Sequence, residues 1–230
     1  MAFRSLCKNY DETVKPQERK QQIIECAKKL FSKNGFYETQ IIDIVNELRI
    51  SKGNPYQYFK NKEDLFLQLI DYIYHQWIEF KVPDDKIRSP NTPYNYLHNK
   101  ISKIIYFFDY DIDSANILIR IGPGINRTIE PFVEKMEHTF IENIKRDLRA
   151  GKRINAIEKD ADIELLSYII LGVISRVSYY YLIQRRAKKA SVDIEKLVDK
   201  IVSSLAAIYL KGSAPPAVKQ VSKRRTINKK

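Results

Sequence analysis

Residues 35–66 read GFYETQIIDIVNELRISKGNPYQYFKNKEDLF, and this stretch decides the fold. It holds two short helical patterns, the second predicted to begin at Ser51 and to run to about Phe59. The inward residues of the first pattern recur at helical spacing: Ile41, Ile44, Val45 and Leu48. About three residues separate the two patterns, and helices this short need a third helix to bury them. The stretch therefore predicts a helix-turn-helix.

The helix that completes this unit is predicted just before it, over residues 16–34. Its apolar residues recur every three or four positions, as in an amphipathic helix: Ile23, Ile24, Ala27, Leu30 and Phe31. Pro16 suits the first helical turn, and Gly35 tolerates the positive φ that ends a helix. Thr39 is predicted to cap the second helix, and Asn61 a fourth that runs to about Phe80.

The residues around the second pattern are those that read DNA. Small and polar residues at a helix start allow close approach to the major groove, and Lys, Asn and Gln hydrogen-bond to base edges. Lys52, Asn54 and Gln57 are therefore predicted base readers, and neighbouring cations, hydroxyls and a helix N-terminus suit phosphates. The predicted DNA-binding set is Thr39, Gln40, Arg49, Ser51, Lys52, Gly53, Asn54, Tyr56, Gln57, Tyr58, Lys60 and Lys62.

This stretch resembles the N-terminal signature of the Tet repressor (TetR) family of transcription regulators. The matching residues are Leu30-Phe31, Gly35-Phe36, Thr39, Ile44, Ile50 to Gly53, Tyr56, Tyr58-Phe59 and Lys62 to Leu65. Four positions depart from the pattern: Gln40, Val45, Arg49 and Pro55. Arg49 replaces a turn glycine, so we expect a non-glycine residue with positive φ there, costing up to roughly 1–2 kcal/mol. Pro55 stands inside the recognition helix, where it stiffens the first turn.

The resemblance implies an all-α protein of about nine helices. A three-helix DNA-binding domain with the helix-turn-helix would precede a helical ligand-binding and dimerisation domain. The expected segments are a flexible arm over residues 1–15, the DNA-binding domain over 16–61, the rear domain over 62–211 and a disordered basic tail over 212–230. Helical patterns at about 94–108, 113–121, 130–150, 161–186 and 193–210 agree with this division, with stops at residues 122–124 and at Gly151.

The resemblance also implies that the last two helices pair with those of a second copy. Both are apolar over more than one face, which calls for more than one packing partner. The predicted dimer contacts are Leu166, Ile170, Val173, Val177, Val198, Val202 and Leu205. The alternative is that these residues form the core of a monomer.

The effector pocket is predicted from aromatic residues in the rear half, since tyrosine joins apolar bulk to a hydroxyl that orients ligands. The predicted ligand-binding residues are Trp77, Tyr106, Phe107, Phe140, Tyr168, Ile174 and Tyr181. The alternative is that they are ordinary core. A small lipophilic or aromatic effector is expected; for an acyl-coenzyme A, Arg120, Arg127 and Lys152 are candidates to meet the phosphates.

Charge, cysteine and histidine content exclude other classes. The net charge is +12, yet residues 1–80 hold twelve basic and eleven acidic residues, while residues 211–230 hold seven basic and none acidic. The charge excess is therefore mostly tail, and the alternative function is an architectural nucleic-acid-binding protein driven by that tail. Two separated cysteines and three scattered histidines predict no metal site and no cofactor.

The sequence predicts a cytoplasmic regulator that is not an enzyme. No paired-carboxylate or nucleophile–base constellation stands out, and the longest apolar run is far shorter than the roughly 20 residues that span a bilayer. The predicted partners are double-stranded operator DNA, a small effector and a second copy of the chain. A repressor released by its effector is the expected mode of action.

Overall fold

The computed structural model describes residues 15–121, 125–188 and 190–211. The predicted basic tail, all but the last residue of the predicted arm and the predicted stop at 122–124 lie outside these ranges. Eight α-helices lie within them: α1 Pro16–Asn34, α2 Ile41–Leu48, α3 Lys62–Glu79, α4 Pro93–Tyr110, α5 Ile112–Arg120, α6 Glu130–Arg153, α7 Ile163–Ser178 and α8 Ile194–Tyr209. The predicted all-α class is confirmed.

Most helices begin at a polar side chain that accepts a hydrogen bond from a backbone N–H of the first turn. Asn61, Thr92, Asp111, Asp162 and Asp193 act in this way for α3, α4, α5, α7 and α8. Such caps satisfy N–H groups that have no partner inside the helix. The predicted cap at Thr39 is wrong, because Gln40 is the residue that precedes α2.

The helix predicted over residues 51–59 is replaced by a short 3₁₀ segment, Pro55–Gln57. Pro55 has no N–H to donate to Ser51, so the α-helical ladder cannot form across the second turn. The chain instead makes tighter turns, in which Asn54 N–H bonds to Ser51 O and Tyr58 N–H to Pro55 O. This loss accounts for eight helices where about nine were predicted.

Helix α7 continues beyond Ser178 without a break. A π-helical stretch, Tyr179–Gln184, and a last α-helical turn, Arg185–Ala187, extend it. A second 3₁₀ turn, Asp84–Lys86, lies in the proline-rich break before α4.

Two hydrophobic clusters form the interior. The front cluster joins α1 and α2 to the part of α3 that ends at Ile73, and it also takes in Phe107, Ile117, Ile129 and Val133 from helices behind. The rear cluster is built from α4 and α6 to α8. The front core therefore extends past the predicted domain boundary at residue 61. Helix α1 packs along α5, and α4 packs along α8.

Candidate nucleic-acid interface

Aromatic packing at the end of α1 supports the DNA-reading unit. Phe66 of α3 contacts both Phe31 and Phe36 edge-on, with ring centroids 5.0 Å apart in each pair. Gly35, at φ 87°, turns the chain between Phe31 and Phe36. These rings bury the α1–α2 turn against α3, so the three helices share one core.

The turn after α2 is built as expected around Arg49. Its φ is 56° and its ψ 40°, in the left-handed region. Arg49 N–H donates to Asn46 O and Ile50 N–H to Val45 O, the bond pattern of a Schellman helix end. Because Val45 and Ile50 are both buried, the turn directs the chain back into the core while the arginine side chain is exposed.

The segment after this turn presents most of the predicted DNA-binding residues to solvent. Pro55 and Phe59 are buried and anchor it, so Pro55 occupies the apolar position of the family pattern. Tyr56 is 59% exposed, and its alternative role in the core is excluded. The exposed members of the predicted set are Gln40, Arg49, Ser51, Lys52, Gly53, Tyr56, Gln57 and Lys60. Tyr58 is half-buried against the front core.

Three predicted DNA contacts are placed differently. Thr39 is fully buried, and its hydroxyl donates to Gly35 O at 2.8 Å, so it holds the turn and does not reach the surface. Lys62 Nζ donates to Phe36 O at 3.1 Å and lies 4.5 Å from the Phe36 ring, which commits its charge to that same turn. Asn54 is half-buried, and its Oδ1 finds no donor among the described residues.

Acidic groups near the interface are used as caps. Asp43 accepts from Gln40 N–H at 2.7 Å, and Asp64 accepts from Lys60 N–H at 2.8 Å. Hydrogen bonds from Gln68 and the Lys60 N–H lower the pKa of Asp64. These carboxylates remain ionised, and the helix starts that they cap share their charge.

A polar junction that the sequence patterns did not reveal links α1 to the start of α5. Lys28 Nζ lies 2.8 Å from Asp111 Oδ2 and 3.0 Å from Glu25 Oε2. Asp111 also accepts from the Ser114 hydroxyl, and Asn116 Nδ2 donates to Ser32 O at 2.6 Å. The one usable sequence signal was the helix-capping pattern of Asp111 and Ser114; the long-range partner Lys28 carried none.

Charge pairing shifts both pKa values at this junction. Burial alone would raise the pKa of Asp111, but hydrogen bonds from Lys28 and Ser114 lower it below its ordinary value. Burial opposes the charge of Lys28 as well, yet its bonds to Asp111 and Glu25 raise its pKa. The pair is therefore ionised at neutral pH and ties the reading unit to the rear helices.

The predicted ligand-binding residues do not line one cavity. Phe107 is buried in the front core, where Trp77 packs against it edge-on at 5.4 Å, whereas Ile174 is buried in the rear core. Tyr106 and Tyr181 pack on the rear cluster, Phe140 is half-buried outside both clusters, and Tyr168 is 51% exposed. Spacing predicted apolar helix faces correctly but could not show which of them converge.

Four of the predicted dimer residues are part of the monomer's own core. Ile170, Val198, Val202 and Leu205 are all buried within one chain, so the alternative reading of them is correct. Leu166, Val173 and Val177 are half-buried against the rear cluster. The exposed apolar residues of the last two helices are different ones, chiefly Leu165, Tyr168 and Ile208.

Helix α7 and its extension, Ile163–Ala187, are long and apolar enough by composition to cross a membrane, with a mean hydropathy of 1.4. A single such helix is weak evidence for a membrane span, because helices that pack against protein share this composition. Here it contributes Ile170, Ile174 and Leu182 to the rear core.

Comparison with known proteins agrees with this geometry. Residues 23–69 match the family model for bacterial regulatory proteins of the tetR family. QacR, an HTH-type transcriptional regulator of Staphylococcus aureus, is 32% identical over 54% of this chain and 65% of its own. IcaR, the biofilm operon negative transcriptional regulator of Staphylococcus epidermidis, is 26% identical over 54% of this chain and 66% of its own.

A solved structure extends the likeness to the whole fold. The regulator FadR of Bacillus subtilis, in complex with stearoyl-CoA, superimposes with a TM-score of 0.61 at 20% identity, covering 80% of this chain and 96% of its own. The matched segment 23–69 contains α1, the α2 turn and the exposed reading segment. This chain is therefore a DNA-binding transcriptional regulator that belongs to the TetR family.

Proposed function

We propose that this regulator binds a roughly palindromic operator as a homodimer and acts as a repressor that a small lipophilic or aromatic effector releases. The observation that carries the DNA contact is the exposed group on one helix-turn-helix: Arg49, Lys52, Tyr56, Gln57 and Lys60. In this proposal Lys52 and Gln57 read base edges, while Arg49, Tyr56 and Lys60 bind phosphates.

The homodimer is supported by apolar side chains that one chain leaves exposed. Leu165 and Ile208 are 57% and 56% exposed, and Tyr168 lies one helical turn from Leu165 on the same face of α7. Clustered exposed apolar residues on two adjacent helices favour a protein interface. A second copy would cover them and form a four-helix contact, with the polar surface of each monomer left outside.

An acyl-coenzyme A is the effector we favour among lipophilic ligands. FadR of Bacillus subtilis was solved with stearoyl-CoA, and the rear half of this chain has a similar fold. An effector there would act on the reading unit through the Lys28–Asp111 junction between α1 and α5. A coupling free energy on the order of 1–3 kcal/mol would be enough to change operator occupancy.

Repression is the mode that the relatives' names favour, since IcaR is described as a negative regulator. We further propose that the protein catalyses no reaction and works in the cytoplasm, where operator DNA lies. The relatives named above are transcriptional regulators, which supports both points.

Selection from a random double-stranded DNA library tests the proposal. The expected product is an inverted repeat whose half-sites lie one or more helical turns apart, each turn about 34–36 Å. Stearoyl-CoA should then lower the affinity for the selected site, and sedimentation should give twice the chain mass. The matched control is Lys33→Ala, on exposed α1 surface away from the reading segment. Recovery of unrelated sequences, or a monomer bound to DNA, would overturn the proposal.

A further inference from the structure

A groove between α5 and the C-terminal half of α7 is lined by two arginines. Ile119 and Arg120 come from α5, Gly172, Ser175 and Arg176 from α7, and Tyr179 from the π-helical extension. The groove has a volume of about 310 Å³ and is open to solvent. None of the seven predicted ligand-binding residues lines it.

The two guanidinium groups have no acidic counterpart in this groove. No lining residue is a carboxylate, and neither arginine has a salt bridge within the ranges that the structure describes. Other arginines of the rear half are paired: Arg88 with Asp199, Arg149 with Glu142 and Arg186 with Asp109. Two like charges that share a cleft without an anion repel each other, and binding an anion would relieve that repulsion.

The remaining lining residues suit an oxygen-bearing anion. The Tyr179 ring lies 5.6 Å from Arg176 Cζ, which orients the guanidinium by a cation–π contact. The Ser175 hydroxyl adds a further donor, and Gly172 leaves its side of the groove open, with no atom within 4 Å of an added Cβ. Guanidinium groups bind carboxylates and phosphates through paired hydrogen bonds.

We propose that this groove binds the oxyanion of an organic ligand, a carboxylate or a phosphate ester, between Arg120 and Arg176. Its volume lies at the lower end of the range for small-molecule sites, so it holds a charged group and a short adjoining segment. Ile119 offers that segment an apolar contact. The site goes beyond the effector proposed above, because its chemistry requires only an anion and neither DNA nor a lipophilic pocket.

Arg120 also gives this site a route to the reading unit. It lines a second groove of about 290 Å³, together with Gly35, Phe36 and Tyr37 of the turn before α2. An anion that draws Arg120 toward Arg176 moves it away from that turn. Ligand binding at α5 and α7 would thereby change the packing beside the N-terminus of α2.

Calorimetric titration of the full chain at low ionic strength tests the site, with octanoate as the carboxylate probe and coenzyme A as the phosphate probe. We expect at least one probe to bind, and the one that binds identifies the source of the oxyanion. Arg120→Gln and Arg176→Gln should each weaken Kd about tenfold or more, since each removes a charge-assisted contact.

Arg146→Gln is the matched control, because Arg146 is an exposed arginine on the outer face of α6. It should bind the probe as the wild type does. Thermal melting of all three variants should match the wild type, since the replaced side chains line solvent-open surface. The inference is wrong if neither probe binds, if both groove variants retain wild-type affinity, or if Arg146→Gln loses as much affinity as they do. Because no DNA is present, this outcome is separate from failure of operator binding.

Discussion

The reading unit and the rear helices use their apolar residues differently. In α1 and α2 each helix has one apolar face, and every residue assigned to it, from Ile23 to Leu48, is buried. In α7 and α8 apolar residues surround much of the helix, so some face the core while others, such as Leu165 and Ile208, are exposed. A helix with one apolar face has one way to pack, whereas a helix with two needs a partner that the sequence does not specify.

The largest expected effect separates the two faces of α8. Leu205→Ala should lower the free energy of unfolding by about 2–5 kcal/mol, because Leu205 is fully buried and its loss leaves a cavity. Ile208→Ala should leave monomer stability nearly unchanged and weaken self-association. Chemical denaturation and sedimentation equilibrium measure the two quantities. If Ile208→Ala destabilises the fold as much as Leu205→Ala, the distinction between the faces is wrong.

A smaller loss is expected where the two regions meet. Lys28→Met should destabilise the protein by about 3 kcal/mol, because it leaves the Asp111 carboxylate buried without its cation. Asp111→Asn in the same chain should recover part of that loss, and the double-mutant cycle measures the coupling. Equal and additive losses would mean that the two side chains do not act as a pair.

The same junction predicts a pH dependence. The folded pKa of Asp111 lies below its ordinary value of 3.8, so the pair contributes stability above that value and loses it as pH falls through the lowered pKa. At the other extreme, Lys28 has a folded pKa above 10.5, so its contribution is lost as pH rises past that raised value. Comparing the acid limb of wild-type stability with that of Asp111→Asn isolates the carboxylate's share.

The reading segment should separate sequence readout from general DNA affinity. Gln57→Ala is expected to lower the preference for the selected site by about 1–3 kcal/mol with little effect on random DNA, since it removes base contacts. Tyr56→Ala should weaken binding to both by similar factors, because a phosphate contact carries no sequence information. Fluorescence anisotropy with selected and random duplexes gives both values. Equal losses for Gln57→Ala on the two duplexes would remove it from the base readers.

The smallest effect is expected at the α2 turn. Arg49→Gly should raise the free energy of unfolding by about 0.5 kcal/mol, because glycine relieves left-handed strain but adds freedom to the unfolded chain. The salt dependence of DNA binding should fall by about 0.9 in slope as one phosphate contact is lost. Unchanged slope with raised stability would assign Arg49 to the turn alone.

The sequence allowed prediction of the front unit because its constraints are local. The positive φ at Arg49 follows from the position of a turn between two short helices, and its neighbours Val45 and Ile50 are buried as the period requires. Pro55 was recognised as a departure, but its consequence was underestimated: without the N–H the segment is a 3₁₀ turn and not a helix.

Long-range partners in the rear half were beyond such reasoning. Val202 was assigned to a dimer contact because it lies on an apolar helix, yet it is fully buried within one chain. The ion pair of Lys28 and Asp111 joins residues far apart in sequence, and no periodic pattern indicates such a contact. Aromatic residues such as Phe107 follow the same rule, since apolar bulk serves a core and a pocket equally well.

The π-helical stretch Tyr179–Gln184 makes chain length itself a structural variable. A π turn accommodates one residue more than an α turn does, so the helix carries one surplus residue at this point. Deleting a single residue there would leave the rod continuous but rotate everything after it by about 100°. Arg186 would then leave the side of the helix on which it pairs with Asp109. The direction in which the last turn presents its two arginines is thus determined by counting residues, and not by the chemistry of any one of them.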